Sequence, residues 1–367
     1  MVRMMLAFSL AMAVSSVACV GQSFDFVATS WRTGRQLDEG LREPISLVWS
    51  EAPLRATLNQ FSKDHRIAIF LDRRIDPGTL VSAMVRNVNA RQLLWLVARD
   101  NGWGVCRLDD VLYVGPEETA ATLPLLWDEL KRESSRLKRK TNVPWHKSIP
   151  MTTNRFTVPG EMVSQFAVQH QFQLIGTDIP HDLWQPLDLP KMRLDQQIGL
   201  YVVGFGLWLK RNGNGEPLEV IAFPDIKQGK RLLGSFEDSR EQISALRARF
   251  PGCRLSLSGQ SVSGSGPLLD LLKIERELIL SEQDQKTTRD ASHTYSVTTR
   301  AARGAILASI AQQEGLTLEI DPAAHQALSE DVQLDLREVS LTELINKTLE
   351  NSGLQYELLP GQLKVRR

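Results

Sequence analysis

A pattern that occurs three times along the chain limits what this sequence can fold into. Each occurrence has a helix with apolar residues at three- and four-residue spacing, then a glycine, then two short segments in which apolar and polar residues alternate. The three glycines are Gly102, Gly206 and Gly353. A glycine after a helix favours a left-handed turn, and the alternating segments predict a hairpin that packs back on the helix. The pattern therefore predicts three copies of one small α+β unit.

The residues before each occurrence extend the predicted unit. In the first and last occurrences a strand, a helix and two further strands are predicted upstream of the leucine-rich helix. The predicted order is therefore β-α-β-β-α-β-β in copy 1 (residues 44–115) and in copy 3 (residues 294–367). Copy 2 (residues 151–224) keeps this scheme but is more divergent, and we predict a loop over residues 177–190.

The remaining segments follow different patterns. Residues 229–282 predict a strand, a helix, two short strands and a second helix, which is the order β-α-β-β-α. Residues 116–150 form a helical basic connector, in which we predict that a helix begins at Pro124. Residues 283–293 are polar and predict a linker. The predicted fold class is therefore α+β, with tandem small domains.

The beginning of the chain predicts export. A short basic start is followed by an apolar stretch too short to span a bilayer and then by small residues, which is typical of a signal peptide over residues 1–21. Cleavage before Gln22 gives a free mature end, whereas the sequence "SVAC" resembles in part the site at which bacterial lipoproteins are lipidated, on Cys19. The sequence predicts a periplasmic or secreted protein, with a lipid anchor on Cys19 as the alternative, and no transmembrane helix after the signal peptide.

Composition restricts the choice of partner and of covalent framework. Lys plus Arg and Asp plus Glu both total 43 in this chain of 367 residues, so no charge excess favours nucleic acid. Beyond the signal peptide the chain has two cysteines, Cys106 and Cys253, in different predicted units. That is too few for a disulfide framework, and the unpaired state is the favoured interpretation.

The sequence offers no convincing catalytic or metal-binding motif. Gly259 and Ser261 lack the second glycine that a nucleophile elbow requires, and the histidines do not have metal-ligand spacing. We therefore predict no enzyme activity and no cofactor. His181 and Asp182 in the segment "IPHDLW" could form an acid–base pair, but a turn role for Asp182, with Trp184 packed under the sheet, is the favoured interpretation.

The repeated units resemble a known family. The stretches that begin "PLRATLNQFSKDHRIAIFLD" and "AARGAILASIAQQEGLTLEID", each with its hairpin, resemble the short N-terminal domain shared by secretins and TonB-dependent receptors. Residues 229–282 resemble the KH-like ring domains of secretin N-terminal regions. The resemblance implies periplasmic modules that bind other proteins or form rings. The sequence carries no match to the pore domain of that family, so pore formation is not implied.

These observations lead to one functional hypothesis and one alternative. The leading hypothesis is a non-catalytic protein that mediates interaction or assembly in the cell envelope, with a secretin-like or other outer-membrane complex as partner, or a second copy of itself. Tryptophans in the connectors and the copy 2 loop are the predicted interface residues, namely Trp127, Trp145 and Trp184. The alternative is an envelope hydrolase, or a protein that binds a small molecule or glycan in a cleft between domains.

Overall fold

A computed structural model describes residues 30–137, 143–211, 217–236, 240–281, 294–359 and 361–367. It confirms the predicted fold class, since helices alternate with many small sheets in tandem units. The predicted signal peptide, Cys19 and the 283–293 linker lie outside the described residues. Each helix within the described residues is too short or too polar to span a bilayer.

Copy 1 has the predicted order of elements after a short first helix. Its elements are α1 (Gly34–Gly40), β1 (Ile45–Pro53), α2 (Leu54–His65), β2 (Ala68–Leu71), β3 (Leu80–Val88), α3 (Ala90–Asp100), β4 (Trp103–Leu108) and β5 (Val111–Pro116). Helix α3 begins with a capping box, in which Asn89 and Gln92 each accept a hydrogen bond from the other's backbone N–H. The helix is amphipathic and buries its apolar face against the sheets.

A long helix, α4 (Glu117–Leu137), follows copy 1 directly. The prediction that this helix begins at Pro124 is wrong, because Pro124 lies inside it. Proline costs a helix one backbone hydrogen bond. Here the preceding turn is held by packing instead, since Ala120, Ala121 and Leu123 are buried in the core.

Copy 2 also has the predicted order. Its elements are β6 (Ser148–Thr153), α5 (Pro159–Gln169), β7 (Leu174–Gly176), β8 (Leu187–Arg193), α6 (Leu194–Val203), β9 (Leu207–Arg211) and β10 (Leu218–Ala222). The loop predicted over residues 177–190 is shorter than expected and ends before Leu187. The last four residues of that stretch belong to β8, because β8 pairs with β6 from Thr153 and Leu187 onward.

The KH-like unit has the predicted order β-α-β-β-α, and copy 3 repeats the scheme of copies 1 and 2. The KH-like unit contains β11 (Gln228–Ser235), α7 (Arg240–Arg249), β12 (Arg254–Ser258), β13 (Ser261–Pro267) and α8 (Leu268–Ser281). Copy 3 contains β14 (Thr294–Ala302), α9 (Arg303–Glu314), β15 (Thr317–Ile320), α10 (His325–Leu328), β16 (Asp331–Ser340), α11 (Leu341–Leu349), β17 (Gln355–Leu359) and β18 (Gln362–Arg366).

The strands of each copy are divided between two sheets. The first and third strands of a copy pair antiparallel, as in β1 with β3, β6 with β8 and β14 with β16. The other three form a small sheet in which the hairpin strands are antiparallel and the second strand of the copy pairs parallel. Gly102, Gly206 and Gly353 all have positive φ, which confirms the left-handed turn predicted after the leucine-rich helix.

Copies 1 and 3 share one sheet, although they lie far apart in the sequence. β1 pairs parallel with β14, so that the strand order is β16-β14-β1-β3. Copy 3 nevertheless has a hydrophobic core of its own, to which copy 1 contributes the buried side chain of Val48. Copy 1, α4, copy 2 and the KH-like unit share a second, larger core. Cys106 and Cys253 are buried in this larger core and are unpaired.

Helix α4 is bound to copies 1 and 2 through one aspartate. The carboxylate of Asp109, in the copy 1 hairpin, accepts hydrogen bonds from Trp127 Nε1 (3.0 Å) and Lys131 Nζ (2.5 Å) of α4. It also accepts one from Gln196 Nε2 of α6 (2.8 Å). Burial raises the pKa of Asp109, but the bonds from Lys131, Trp127 and Gln196 outweigh it and lower the pKa below its ordinary value.

Further buried polar contacts join α4 to the other units. Ser134 of α4 donates to Asp195 in α6, and Arg211 binds both of them at 2.8 Å. From the KH-like unit, Arg231 donates to the carbonyl oxygen of Ala121 in α4 (3.3 Å) and pairs with the buried Glu275. These groups are desolvated and paired, so loss of one partner leaves the other buried without compensation.

Replacement of Asp109 by Asn should lower the free energy of unfolding by about 1–3 kcal/mol at pH 7, because the ion pair with Lys131 is lost. A lowered pKa stabilises the fold above the ordinary pKa of 3.8, and this contribution is lost as the pH falls through the lowered value. The difference between the variant and the parent should therefore shrink below about pH 4. Urea unfolding at several pH values measures it, with Asp128→Asn as an exposed control on α4.

Deletion of residues 354–367 should unfold copy 3. The deletion removes β17 and β18 and with them the buried side chains of Leu363 and Val365. The larger core should persist, because copy 3 contributes no residue to it. Limited proteolysis should then cut within residues 294–353 and spare residues 44–281. A chain that lacks only Arg367 is the matched control, and equal resistance of the two shortened chains would contradict the repeat assignment.

Candidate functional site

The three tryptophans predicted as interface residues lie where parts of this chain meet. Trp127 and Trp145 are buried, with exposed fractions of 3% and 1%. Trp127 donates to Asp109, whereas Trp145 lies between the guanidinium group of Arg211 (4.4 Å) and the ring of Phe172 (4.8 Å). Binding of a partner by these tryptophans stays a prediction, and Trp184 is the member with accessible surface.

Trp184 fills the junction between copies 1 and 2. Its ring lies between Phe70 of β2 and Tyr201 of α6, at centroid distances of 6.0 and 5.4 Å. Its backbone bridges to Thr157, and its indole Nε1 donates to Asp182 (3.1 Å). The two aromatic contacts of the ring hold the 177–186 loop of copy 2 against the small sheet of copy 1.

An ion pair accompanies this aromatic contact. Arg73, in the loop after β2, binds the carboxylate of Asp182 at 2.7 Å, and its guanidinium group lies 4.5 Å from the ring centre of Phe205. Partial burial raises the pKa of Asp182, but the hydrogen bond and the charge of Arg73 lower it below its ordinary value. Asp182 therefore serves the junction between copies, and the capping or turn role that the sequence favoured for it stays a prediction.

His181, the other member of the candidate acid–base pair, lies at an open depression beside the loop. The depression has a volume of about 480 Å³ and separates the first turns of α5 from the loop. Its lining residues are Val158, Gly160, Glu161, Ser164, Gln165, Ile179 and His181. Within the described ranges, no group of three or more His, Cys, Asp or Glu side chains is placed to hold a metal ion.

Copy 2 also carries an exposed apolar surface, which the sequence analysis missed. Eight large apolar side chains are exposed among the described residues, and half of them fall between residues 156 and 183. They are Phe156 (56% exposed), Val168 (81%), Ile175 (37%) and Leu183 (53%). Phe156 lies beside the loop, since its backbone N–H donates to the carbonyl oxygen of Trp184 (2.7 Å). We call these four residues the copy 2 surface.

Exposed apolar side chains concentrated in one unit are typical of a surface that binds another molecule. The rigid elements α5 and β7 present two of the four, and the loop anchored by Trp184 presents Leu183. One signal for this surface was present in the sequence: Val168, near the end of α5, occupies the position at which copy 1 has the polar Lys63.

Comparisons with known proteins add little to this picture. No family model and no curated protein matches the chain. The GspC-GspD complex from the type II secretion system of enterotoxigenic Escherichia coli is similar over 36% of this chain and 98% of that chain, at 10% identity and a TM-score of 0.17. A structure described as XcpQN012 is similar over 55% and 98%, at 12% identity and a TM-score of 0.17. Likenesses this low carry no argument, so the resemblance to the secretin and TonB short N-terminal domain stays a prediction.

Replacement of Trp184 by Ala should weaken the junction between copies 1 and 2. Loss of the ring leaves a cavity between Phe70 and Tyr201, and we expect the free energy of unfolding to fall by roughly 2–4 kcal/mol. Replacement of the adjacent, exposed Leu183 by Ala should change it by less than about 0.5 kcal/mol. Urea unfolding of both variants tests this, and equal stabilities would show that Trp184 does not hold the loop.

Proposed function

We propose that this protein is a non-catalytic, periplasmic interaction or assembly protein of the cell envelope. The observation that carries the proposal is the copy 2 surface, because most other large apolar side chains of the described units are buried in the two cores. Removing these four exposed side chains from water would be favourable, so a molecule that covers them gains binding free energy.

The way in which the units are joined supports a binding role. Copies 1 and 2, α4 and the KH-like unit share one core, and buried hydrogen bonds made by Ser134 and by the carbonyl oxygen of Ala121 in α4 link this helix to copy 2 and to the KH-like unit. A surface on such a scaffold is held in place before a partner arrives, which reduces the entropy lost on binding. The sequence resemblance to periplasmic modules of secretins and TonB-dependent receptors points in the same direction.

The partner that fits this proposal is a protein of the envelope. A secretin-like or other outer-membrane complex is the first candidate, and a second copy of this chain is the next. The signal peptide over residues 1–21 delivers the protein to that compartment, and a lipid on Cys19 would tether it to a membrane.

One observation favours the alternative function. The depression beside His181 is open and large enough for a small molecule, and its wall carries Glu161 and Ser164. A glycan-binding protein or an envelope hydrolase would use this depression. The carboxylate next to His181 is already bound by Arg73 and Trp184, so a hydrolase would have to use Glu161 of the depression as its second group.

Photo-cross-linking within cells that export the protein distinguishes these functions. A benzoylphenylalanine residue at position 156 or 183 should form a discrete cross-link to an envelope protein, and Phe156→Asp should abolish the cross-link made from position 183. Position 232 is the matched control, because Leu232 is 65% exposed on β11 of the KH-like unit. Equal cross-linking at position 232 would count against the proposal. Absence of a protein cross-link, together with saturable binding of a glycan that His181→Ala removes, would support the alternative.

A further inference from the structure

The three copies can be compared position by position at the strand that follows their first helix. In each copy this helix is followed within two residues by a residue with positive φ, namely Arg66, Gln171 and Gly315. Four residues later the strand carries Phe70 in copy 1, Ile175 in copy 2 and Glu319 in copy 3. The pairing register agrees, since these residues oppose Tyr113, Glu219 and Lys364 on the last strand of their own hairpins.

In copy 1 this position is the centre of a docking contact. Phe70 is 4% exposed, and Trp184 of copy 2 packs against it beside Tyr113 of its own sheet. Three residues after Phe70, Arg73 pairs with Asp182, which lies two residues before Trp184. Copy 1 therefore binds a loop by one apolar and one charged side chain, and the loop supplies an aromatic ring and the opposite charge.

In copy 3 the same position is occupied by a charged residue that is exposed to solvent. Glu319 pairs with Lys364 at 3.0 Å and accepts a hydrogen bond from Gln362, so the outer side of the small sheet is polar. No aromatic contact to this sheet position is present within the described part of copy 3. An apolar residue at this position is therefore not required by the fold.

Copy 2 keeps the apolar residue of copy 1 but leaves it exposed. Ile175 is 37% exposed on β7, an edge strand that pairs on one side with β10. Three residues later, where copy 1 has Arg73, copy 2 has the exposed Asp178. Copy 2 thus has an apolar residue and, three residues later, a charged residue, as in the copy 1 docking contact. The charge in copy 2 is negative, whereas that in copy 1 is positive.

We propose that Ile175 and Asp178 bind a loop of a partner protein that carries an aromatic side chain and, two residues before it, a lysine or arginine. This inference rests on the proposed function and specifies how the partner is recognised. The aromatic ring covers Ile175 as Trp184 covers Phe70, and the basic side chain pairs with Asp178 as Asp182 pairs with Arg73.

The partner loop does not come from a second copy of this chain. The loops of copies 1 and 3 that correspond to residues 177–186 cover residues 72–79 and 321–330, and neither contains Phe, Tyr or Trp. The copy 2 loop does contain an aromatic residue, but Trp184 already packs between Phe70 and Tyr201 and is preceded by an acid. Nowhere in the sequence does Lys or Arg stand two residues before a Phe, Tyr or Trp, so a different polypeptide is the occupant.

Two labelled peptides test the inference against the chain from residue 22 onward. Both have the sequence of residues 177–189, one with the native Asp182 and one with Asp182→Arg. Fluorescence anisotropy should show that the Arg peptide binds two- to fivefold more tightly, which is roughly the value of an exposed ion pair. Ile175→Glu, which introduces the acidic residue of copy 3, should weaken binding about tenfold. Leu232→Glu should leave it unchanged.

A charge reversal provides the decisive comparison. Asp178→Arg should invert the preference, so that the native Asp peptide binds more tightly than the Arg peptide. Failure of the Arg peptide to bind, or a preference that Asp178→Arg leaves unchanged, would overturn the inference. The proposed function would survive that result if cross-links from positions 156 and 183 persist, since they do not involve Ile175 or Asp178. Thermal unfolding of each variant confirms that it remains folded.

Discussion

Helix α4 is the element on which the association of the units depends. It buries side chains against copy 1, copy 2 and the KH-like unit at once, and its polar groups complete hydrogen bonds that those units cannot satisfy alone. Asp109 shows the principle most clearly, because its carboxylate joins a hairpin of copy 1, two side chains of α4 and one of α6. Small α+β units of this size have limited cores of their own, and a shared helix increases the apolar area that all of them bury.

The sequence predicted the helices and strands well because the spacing of apolar residues within each segment indicates its secondary structure. Helix and hairpin patterns recur with the same spacing, so the order β-α-β-β-α-β-β followed from local information alone. The junctions between units could not be predicted from this periodicity, because it indicates which face of an element is apolar but not which other element covers that face. One signal was available in the hairpins. Both faces of the copy 1 hairpin are apolar, as the buried Val105, Cys106, Leu112 and Tyr113 show, whereas the copy 3 hairpin alternates. A hairpin buried on both faces needs a second covering element, and α4 is that element.

The sequence predicted one part of the candidate site and missed another. The loop with Asp182 and Trp184 stood out because of its residue types, and the structure places it at a junction. The copy 2 surface was missed because exposed and buried apolar residues look alike in a sequence. Ile175 and Phe70 are both apolar and occupy the same position of their copies, but another unit covers only Phe70, through a contact with a residue more than a hundred positions away in the chain.

The parallel pairing of β1 with β14 has a consequence for the order in which the protein is assembled. Leu47 is among the first residues of the folded part to be synthesised, and its neighbour in the sheet, Ser296, belongs to the last unit. Until copy 3 is complete, the hydrogen-bonding groups along that side of β1 have no strand beside them, and Val48 has no core to enter. The sheet of copy 1 is therefore incomplete while the roughly 240 residues between the two strands are synthesised, and this side of β1 becomes protected from strand exchange with other chains only when β14 pairs with it.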